Sequence, residues 1–241
     1  MKLIAHRGAS LEAPENTLES LECGARRGAD AVECDVRQTA DGRYVIFHDP
    51  DLTRMAGVDR PVDSLTLPQM QDLLRSAGKT LLTLEDLSAY RGRCPILLHL
   101  YLPDADRAFF SRLACAETPF LCGVTTGQLA ENARSAFLPE RILAFMEGDG
   151  NRDEQLEIAR AYAMSGAGIL RLWEHWLDRI TPADVRAACP GTEVWIMASQ
   201  PDTGMNGSMT SLDRLSALGA DGVLLNDIGL GERWRAGHSA V

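Results

Sequence analysis

Ala31-Val32-Glu33-Cys34-Asp35-Val36, followed by Asp41-Gly42 and then Tyr44-Val45-Ile46-Phe47, decides the architecture of this chain. Both runs are short, and the second is made wholly of β-branched and aromatic residues, as strands often are. Asp-Gly between them is a strong hairpin signal. The gap is too short for a parallel crossover, which takes a dozen residues or more. The second run must therefore return antiparallel to the first, as an arm. Nine such runs occur in all: Leu3–Ala5, Ala31–Val36, Tyr44–Phe47, Ile96–Leu102, Phe120–Val124, Ile142–Met146, Gly168–Leu172, Val194–Ala198 and Gly222–Leu225. Setting the arm aside leaves eight. Several are nearly continuous in apolar character, as parallel strands covered on both faces should be.

Helical patterns separate most of these runs: Asn16–Arg27, with Asn16 as its cap, then Leu67–Leu74, Leu84–Tyr90, Ala105–Cys115, Gln128–Ser135, Asp153–Met164, Thr181–Ala188 and Ser211–Leu218. Thr181-Pro182 has the form of a cap with proline at the first helical position. Eight strands alternating with helices predict an α/β fold, a (β/α)8 TIM barrel, with residues 1–241 forming a single domain. A doubly wound open sheet is the alternative. The glycine fingerprint of a dinucleotide site does not follow the first strand.

Charge narrows the function. The formal net charge is −10, with 45% hydrophobic and 24% charged residues. A chain this acidic lacks the broad basic surface that nucleic acid needs. No apolar run reaches the roughly 18–20 residues of a membrane span. Six scattered cysteines without a C-x-x-C pair read as free thiols, which fits a cytoplasmic location.

Strand periodicity puts Glu33 and Asp35 on one face with Cys34 opposite. Two adjacent carboxylates facing a barrel interior would repel unless a cation lies between them, and a hard divalent ion is the natural partner. If Asp41-Gly42 are the two central turn residues, Ala40 pairs with Arg43, Arg37 with Ile46, and Asp35 with His48. His6-Arg7 ends the first strand, where barrels place their chemistry. Two histidines and two carboxylates from three segments thus converge. Such a group suits phosphodiester cleavage, with His6 and His48 exchanging protons and the fork of Arg7 on phosphate.

Taken together, Ile4-Ala5-His6-Arg7-Gly8, Ala13-Pro14-Glu15-Asn16-Thr17, Gly28 to Val36, Val45-Ile46-Phe47-His48-Asp49 and Leu52-Thr53-Arg54 resemble the glycerophosphodiester phosphodiesterase family. Gly219-Ala220-Asp221-Gly222-Val223 resembles the family's last strand. The resemblance implies a barrel with a small insertion after the second strand, here about 50–80. It implies His6 and His48 as acid and base, Arg7 on phosphate, Asn16 near the site, and Glu33 and Asp35 on one divalent ion, magnesium or calcium. The implied substrate is a small phosphodiester of lipid and glycerol metabolism, and the products are glycerol phosphate and an alcohol.

The third barrel strand departs from the family, whose Glu-x-Lys is replaced by His99-Leu100-Tyr101. His99 stands in the place of the metal-binding glutamate and Tyr101 in the place of the phosphate-binding lysine. An imidazole ligand moves metal preference toward manganese or zinc. Tyr101 retains one donor, and Arg171 on the sixth strand restores the missing cation if it points inward. Glu147 and Asp149 are candidate replacement carboxylates. Gln200–Ser211 forms a long loop on the active face, and Trp173, Glu174, His175 and Trp176 are candidates to line the pocket. His238 lies in a tail expected to fray. The competing readings are a phosphodiesterase with another head group, one that forms a cyclic phosphate by internal attack, and a catalytically weakened binding protein on the same barrel.

Overall fold

The structure is a computed structural model describing residues 1–238. All eight expected barrel strands form: β1 Lys2–Ala5, β2 Ala31–Gln38, β3 Ile96–Leu100, β4 Phe120–Val124, β5 Ile142–Phe145, β6 Ile169–Trp173, β7 Glu193–Met197 and β8 Gly222–Leu225. Each is parallel to the next, and β1 pairs with both β2 and β8, which closes the barrel. Ile4, Leu97, Leu143, Ile169, Trp195 and Leu224 are buried together in one cluster. They come from six different strands and plug the interior. The alternate strand residues, such as Leu3, Cys34, Leu98 and Leu170, join the larger core under the helices. This is the inside–outside alternation that near-continuous apolar strands require.

The arm, Tyr44–Ile46, runs antiparallel to β2 as expected, but one residue out of the expected register. Val36 pairs with Ile46 and Arg37 with Val45. The cause is the turn. Gly42 N–H donates to Thr39 O, Thr39 N–H donates to Arg43 O, and Gly42 is left-handed at φ 76°. That is a three-residue loop carrying a glycine bulge rather than a two-residue turn, and the bulge consumes one residue. Neither Ala40 with Arg43, Arg37 with Ile46, nor Asp35 with His48 is a pair. Phe47 N–H donates to Asp35 O instead, so His48 lies just past the end of the ladder.

Beyond the arm the chain makes the expected insertion. A two-stranded ribbon, Asp51–Leu52 with Val58–Pro61, and helices Thr53–Ala56 and Leu67–Ser76 precede Leu82–Thr83, which adds to the arm's outer edge. Leu52, Val62, Leu65, Met70 and Leu74 form a small core against Val45 and Phe47. The segment therefore packs on the back of the arm and holds it against the barrel mouth.

Three helical expectations are corrected. Thr17, not Asn16, caps the first helix, Leu18–Arg26, by accepting from Ser20 N–H at 3.2 Å. The stretch Leu84–Tyr90 winds as a 3₁₀ turn over Glu85–Ala89. The C-terminal stretch is ordered as helix Ile228–His238, and His238 stacks on Trp234 at 4.6 Å rather than fraying. Among the described residues no helix is long and apolar enough to cross a membrane.

Candidate active site

In a parallel pair, residues in register point the same way. Glu33 is in register with Leu97, and Asp35 with His99. Both carboxylates and the His99 imidazole therefore face the interior near the C-terminal mouth, above the plug. Glu33 and Asp35 are fully buried, and His99 nearly so. His99 Nδ1 lies 3.3 Å from Asp35 Oδ1 and 4.0 Å from Glu33 Oε1. These three side chains each offer one donor atom, all within 4.8 Å of one another.

The second oxygen of each acid is already engaged. Glu33 Oε2 accepts from Arg7 N–H at 2.8 Å. Asp35 Oδ2 accepts from Asn16 Nδ2 at 3.0 Å, while Asp35 N–H donates to Asn16 Oδ1. Among the described residues, Glu33 Oε1 and Asp35 Oδ1 have no hydrogen-bond partner. Buried polar atoms are rarely left so. Burial, then the charge of Asp35, pushes Glu33 well above the usual carboxylate range. Asp35, held low against burial by His99, carries the charge of the pair. Two orphaned oxygens and one imidazole nitrogen fit a divalent cation with mixed oxygen and nitrogen ligands.

Arg7 and Asn16 owe their places to unusual backbone. Both are left-handed, at φ 56° and 59°. Asparagine tolerates this conformation, whereas arginine seldom adopts it. Asn16 N–H donates to Arg7 O, which also accepts from Ser20 Oγ. The turn is thus pinned from both sides, and it aims the Arg7 amide at Glu33. The Arg7 guanidinium lies over the site, with Nε 3.5 Å from Asp35 Oδ2 and Nη1 3.4 Å from Glu15.

His6 flanks the acids, with Nε2 3.8 Å from Glu33 Oε2 and Nδ1 2.8 Å from Asn226 Oδ1. Burial, then the Arg7 charge, pushes His6 down to about 4, so it is neutral at pH 7. His48 is more exposed, and its Nδ1 lies 2.7 Å from Asp49 Oδ1. Despite the shifted register its ring stays beside the site, against that of Tyr101. Arg54 locks the surroundings by donating to both Asp49 and Glu15. Arg37 Nε donates to the His48 carbonyl at 2.7 Å and its guanidinium covers the Tyr101 ring at 4.2 Å.

Tyr101 lies beside His99, with ring centres 4.2 Å apart, and 6.2 Å from the His48 ring. Arg171 points inward, almost fully buried, between Trp173 and Phe145. Its Nη2 donates to Glu147 at 2.6 Å, while Nε and Nη1 have no partner among the described residues. Glu147 is thus the counter-ion of Arg171 and is not among the clustered donors. Among the described residues, the Asp149 carbonyl accepts from Arg179 Nη1 at 2.9 Å. Glu174 and Trp176 are buried. Glu174 ties down the long loop by accepting from Ser199 N–H, Gln200 Nε2 and Ser211 Oγ. His175 meets Ser199 Oγ at 2.9 Å.

Several contributors escaped sequence reading. The Phe145 ring stacks on His99 at 3.6 Å and 12°. Gly123 makes room for it, because a Cβ there would fall 2.4 Å from Phe145 Cε2. Asn226 follows β8 as His6 follows β1. Only closure of the barrel, which pairs Ala5 with Leu225, brings the two together.

Fold and site together define a class: a (β/α)8 barrel carrying a metal-type donor set and two further imidazoles at its C-terminal mouth. The sequence profile of the Glycerophosphoryl diester phosphodiesterase family matches residues 6–100. Over those residues the chain is similar to that family, a match that spans less than half of its length. It is 45% identical over 71 residues to "Probable glycerophosphodiester phosphodiesterase 1" of Mycobacterium tuberculosis (strain ATCC 25618 / H37Rv), covering 30% of this chain and 26% of the relative. It is 41% identical over 78 residues to "Glycerophosphodiester phosphodiesterase 1" of Bos taurus, covering 32% and 24%. The chain thus spans about a quarter of the length of these curated relatives. The fold match is longer. A glycerophosphodiester phosphodiesterase structure from Thermotoga maritima aligns over 96% of both chains at 18% identity, with a TM-score of 0.73. An Oleispira antarctica phosphodiesterase in complex with the product sn-glycerol-3-phosphate aligns over 100% of this chain and 97% of that one at 22% identity, TM-score 0.70.

Proposed function

We propose that this protein hydrolyses a glycerophosphodiester to glycerol phosphate and an alcohol. The observation that carries the reading is the pair of orphaned, buried carboxylate oxygens beside His99, flanked by the imidazoles of His6 and His48. The relative solved with sn-glycerol-3-phosphate supports the choice of substrate class.

Glu33, Asp35 and His99 would hold one divalent cation, which supplies positive charge against the phosphoryl oxygens. With an imidazole in the set, manganese or zinc fits better than calcium. His6, neutral and fixed by Asn226, accepts a proton at Nε2 from the attacking oxygen. His48, more exposed and backed by the Asp49 carboxylate, delivers a proton to the departing alkoxide. The guanidinium of Arg7 neutralises phosphate, and Asn16 orients Asp35 for its ligand. Arg171 supplies the cation that the family's lysine would bring, at the partnerless Nε and Nη1, and Tyr101 adds one donor. The six cysteines are free, which suits a reducing cytoplasm.

The test is a metal-supplemented assay on glycerophosphocholine and glycerophosphoethanolamine, run on the wild type, His6→Ala, His48→Ala and Arg171→Met. Either histidine variant is expected to lose about 10²–10⁴-fold in kcat, and Arg171→Met to raise KM about tenfold or more. Wild-type turnover undiminished in both histidine variants would remove the acid–base reading. A wild type inert toward every diester with each metal would remove the hydrolase.

A further inference from the structure

Asn226 is not among the residues to which the mechanism above gives a chemical step, yet it makes the only hydrogen bond to the His6 ring among the described residues. Its amide is held in one orientation by two contacts. Nδ2 donates to Asn206 Oδ1 at 3.2 Å, and the Asn226 backbone N–H donates to Met205 O at 2.8 Å. Both partners belong to the long loop after β7, which is itself anchored by buried Glu174. With Nδ2 committed to Asn206, the amide presents its carbonyl oxygen to His6 Nδ1. A carbonyl can only accept, so Nδ1 must carry the proton and Nε2 the lone pair. Nε2 is the nitrogen on the Glu33 side, 3.8 Å from Oε2.

We propose that Asn226, set by Asn206, is a positioning residue that fixes the Nδ1–H tautomer of His6 and so aims a lone pair at the reacting oxygen. This rests on the reading of His6 as proton acceptor. It assigns the loop 199–208 a part in the reaction without any contact to substrate. A histidine held in the wrong tautomer cannot accept a proton where it is needed, whatever the rest of the geometry.

The experiment is long-range proton–nitrogen correlation on the full chain labelled with ¹⁵N-histidine, metal-free at pH 7.5, with His6 assigned by its loss in His6→Gln. The wild type is expected to show His6 as Nδ1–H alone. Asn226→Leu, which has no acceptor, is expected to show the Nε2–H form and to lose about tenfold in kcat, with KM within about twofold, one hydrogen bond's worth. Asn226→Asp, which still accepts, is expected to keep the Nδ1–H form and recover most of kcat. If Asn226→Leu does not fold, Asn206→Ala serves instead, and is expected to introduce a second tautomer as the amide becomes free to turn over. A wild-type ring protonated at Nε2, or a tautomer unchanged in the variant that folds, would overturn the proposal. The spectrum is read without turnover. A protein inert toward diesters would therefore sink the proposed function and leave the tautomer result standing.

Discussion

Replacing Glu33 by glutamine is expected to make the metal-free protein more stable and the metal-loaded protein scarcely different from it. Glu33 is fully buried, one of its oxygens has no partner, and burial together with Asp35 disfavours its charge. Glutamine keeps the carbonyl that accepts from Arg7 N–H. It also replaces the partnerless Oε1 with an NH₂ that cannot ionise beside Asp35. Leaving a buried polar group unpaired costs about 1–3 kcal/mol, more when it is charged. Glu33→Gln should therefore gain about 2 kcal/mol without metal. For a chain of this length that is about 4–8 °C in Tm. Metal acts the other way round. At a hundred times Kd, manganese should stabilise the wild type by about 2.7 kcal/mol, and the variant hardly at all. Thermal melts of both proteins in chelator and in manganese measure all four states. A variant that melts below the wild type in chelator, or that keeps the full metal shift, would refute the argument that these oxygens wait for a cation.

Two other expectations concern the same cluster. Gly123→Ala places a Cβ 2.4 Å from Phe145 Cε2 and 2.8 Å from the Leu98 carbonyl. It should destabilise by about 1–3 kcal/mol and, by moving the ring stacked on His99, weaken metal binding about tenfold or more in a calorimetric titration. Acid should act through His6, whose proton affinity is pushed down to about 4 from 6.5 by burial and then by Arg7. Its contribution to stability is complete above pH 6.5 and is lost as pH falls toward 4, because the unfolded chain takes the proton first. Between pH 7 and 5 the metal-free wild type should lose on the order of 2 kcal/mol more than His6→Gln in urea melts. Parallel losses in the two proteins would contradict the shift.

How much of this was legible in the residues can be traced element by element. The eight strands were visible because burial on both faces writes itself as apolar runs. The arm was visible because Asp41-Gly42 leaves no room for a crossover. Glu33 and Asp35 were paired by nothing more than a period of two, and His99 was brought to them by parallel register. The hairpin register was not legible. Asp-Gly serves both a two-residue turn and a bulged three-residue one, and only the hydrogen bonds of Thr39 decide between them. Asn16 was placed near the site but given a cap's job, because Asn16 and Thr17 are both good caps and local sequence does not choose between them. Asn226, Arg37 and Phe145 serve residues far away in the chain. Nothing local in the sequence marks an asparagine after the last strand as the neighbour of a histidine after the first.

The left-handed turn at Arg7 separates two tasks that usually share one side chain. The main-chain N–H of residue 7 holds Glu33, and its guanidinium lies over the site beside Asp35 and Glu15. Glycine at that position would keep the amide, adopt φ 56° without steric cost, and remove the guanidinium together with its contacts to Asp35 and Glu15. The main-chain hold on Glu33 is therefore independent of the side chain at position 7, whereas the positive charge beside Asp35 is not.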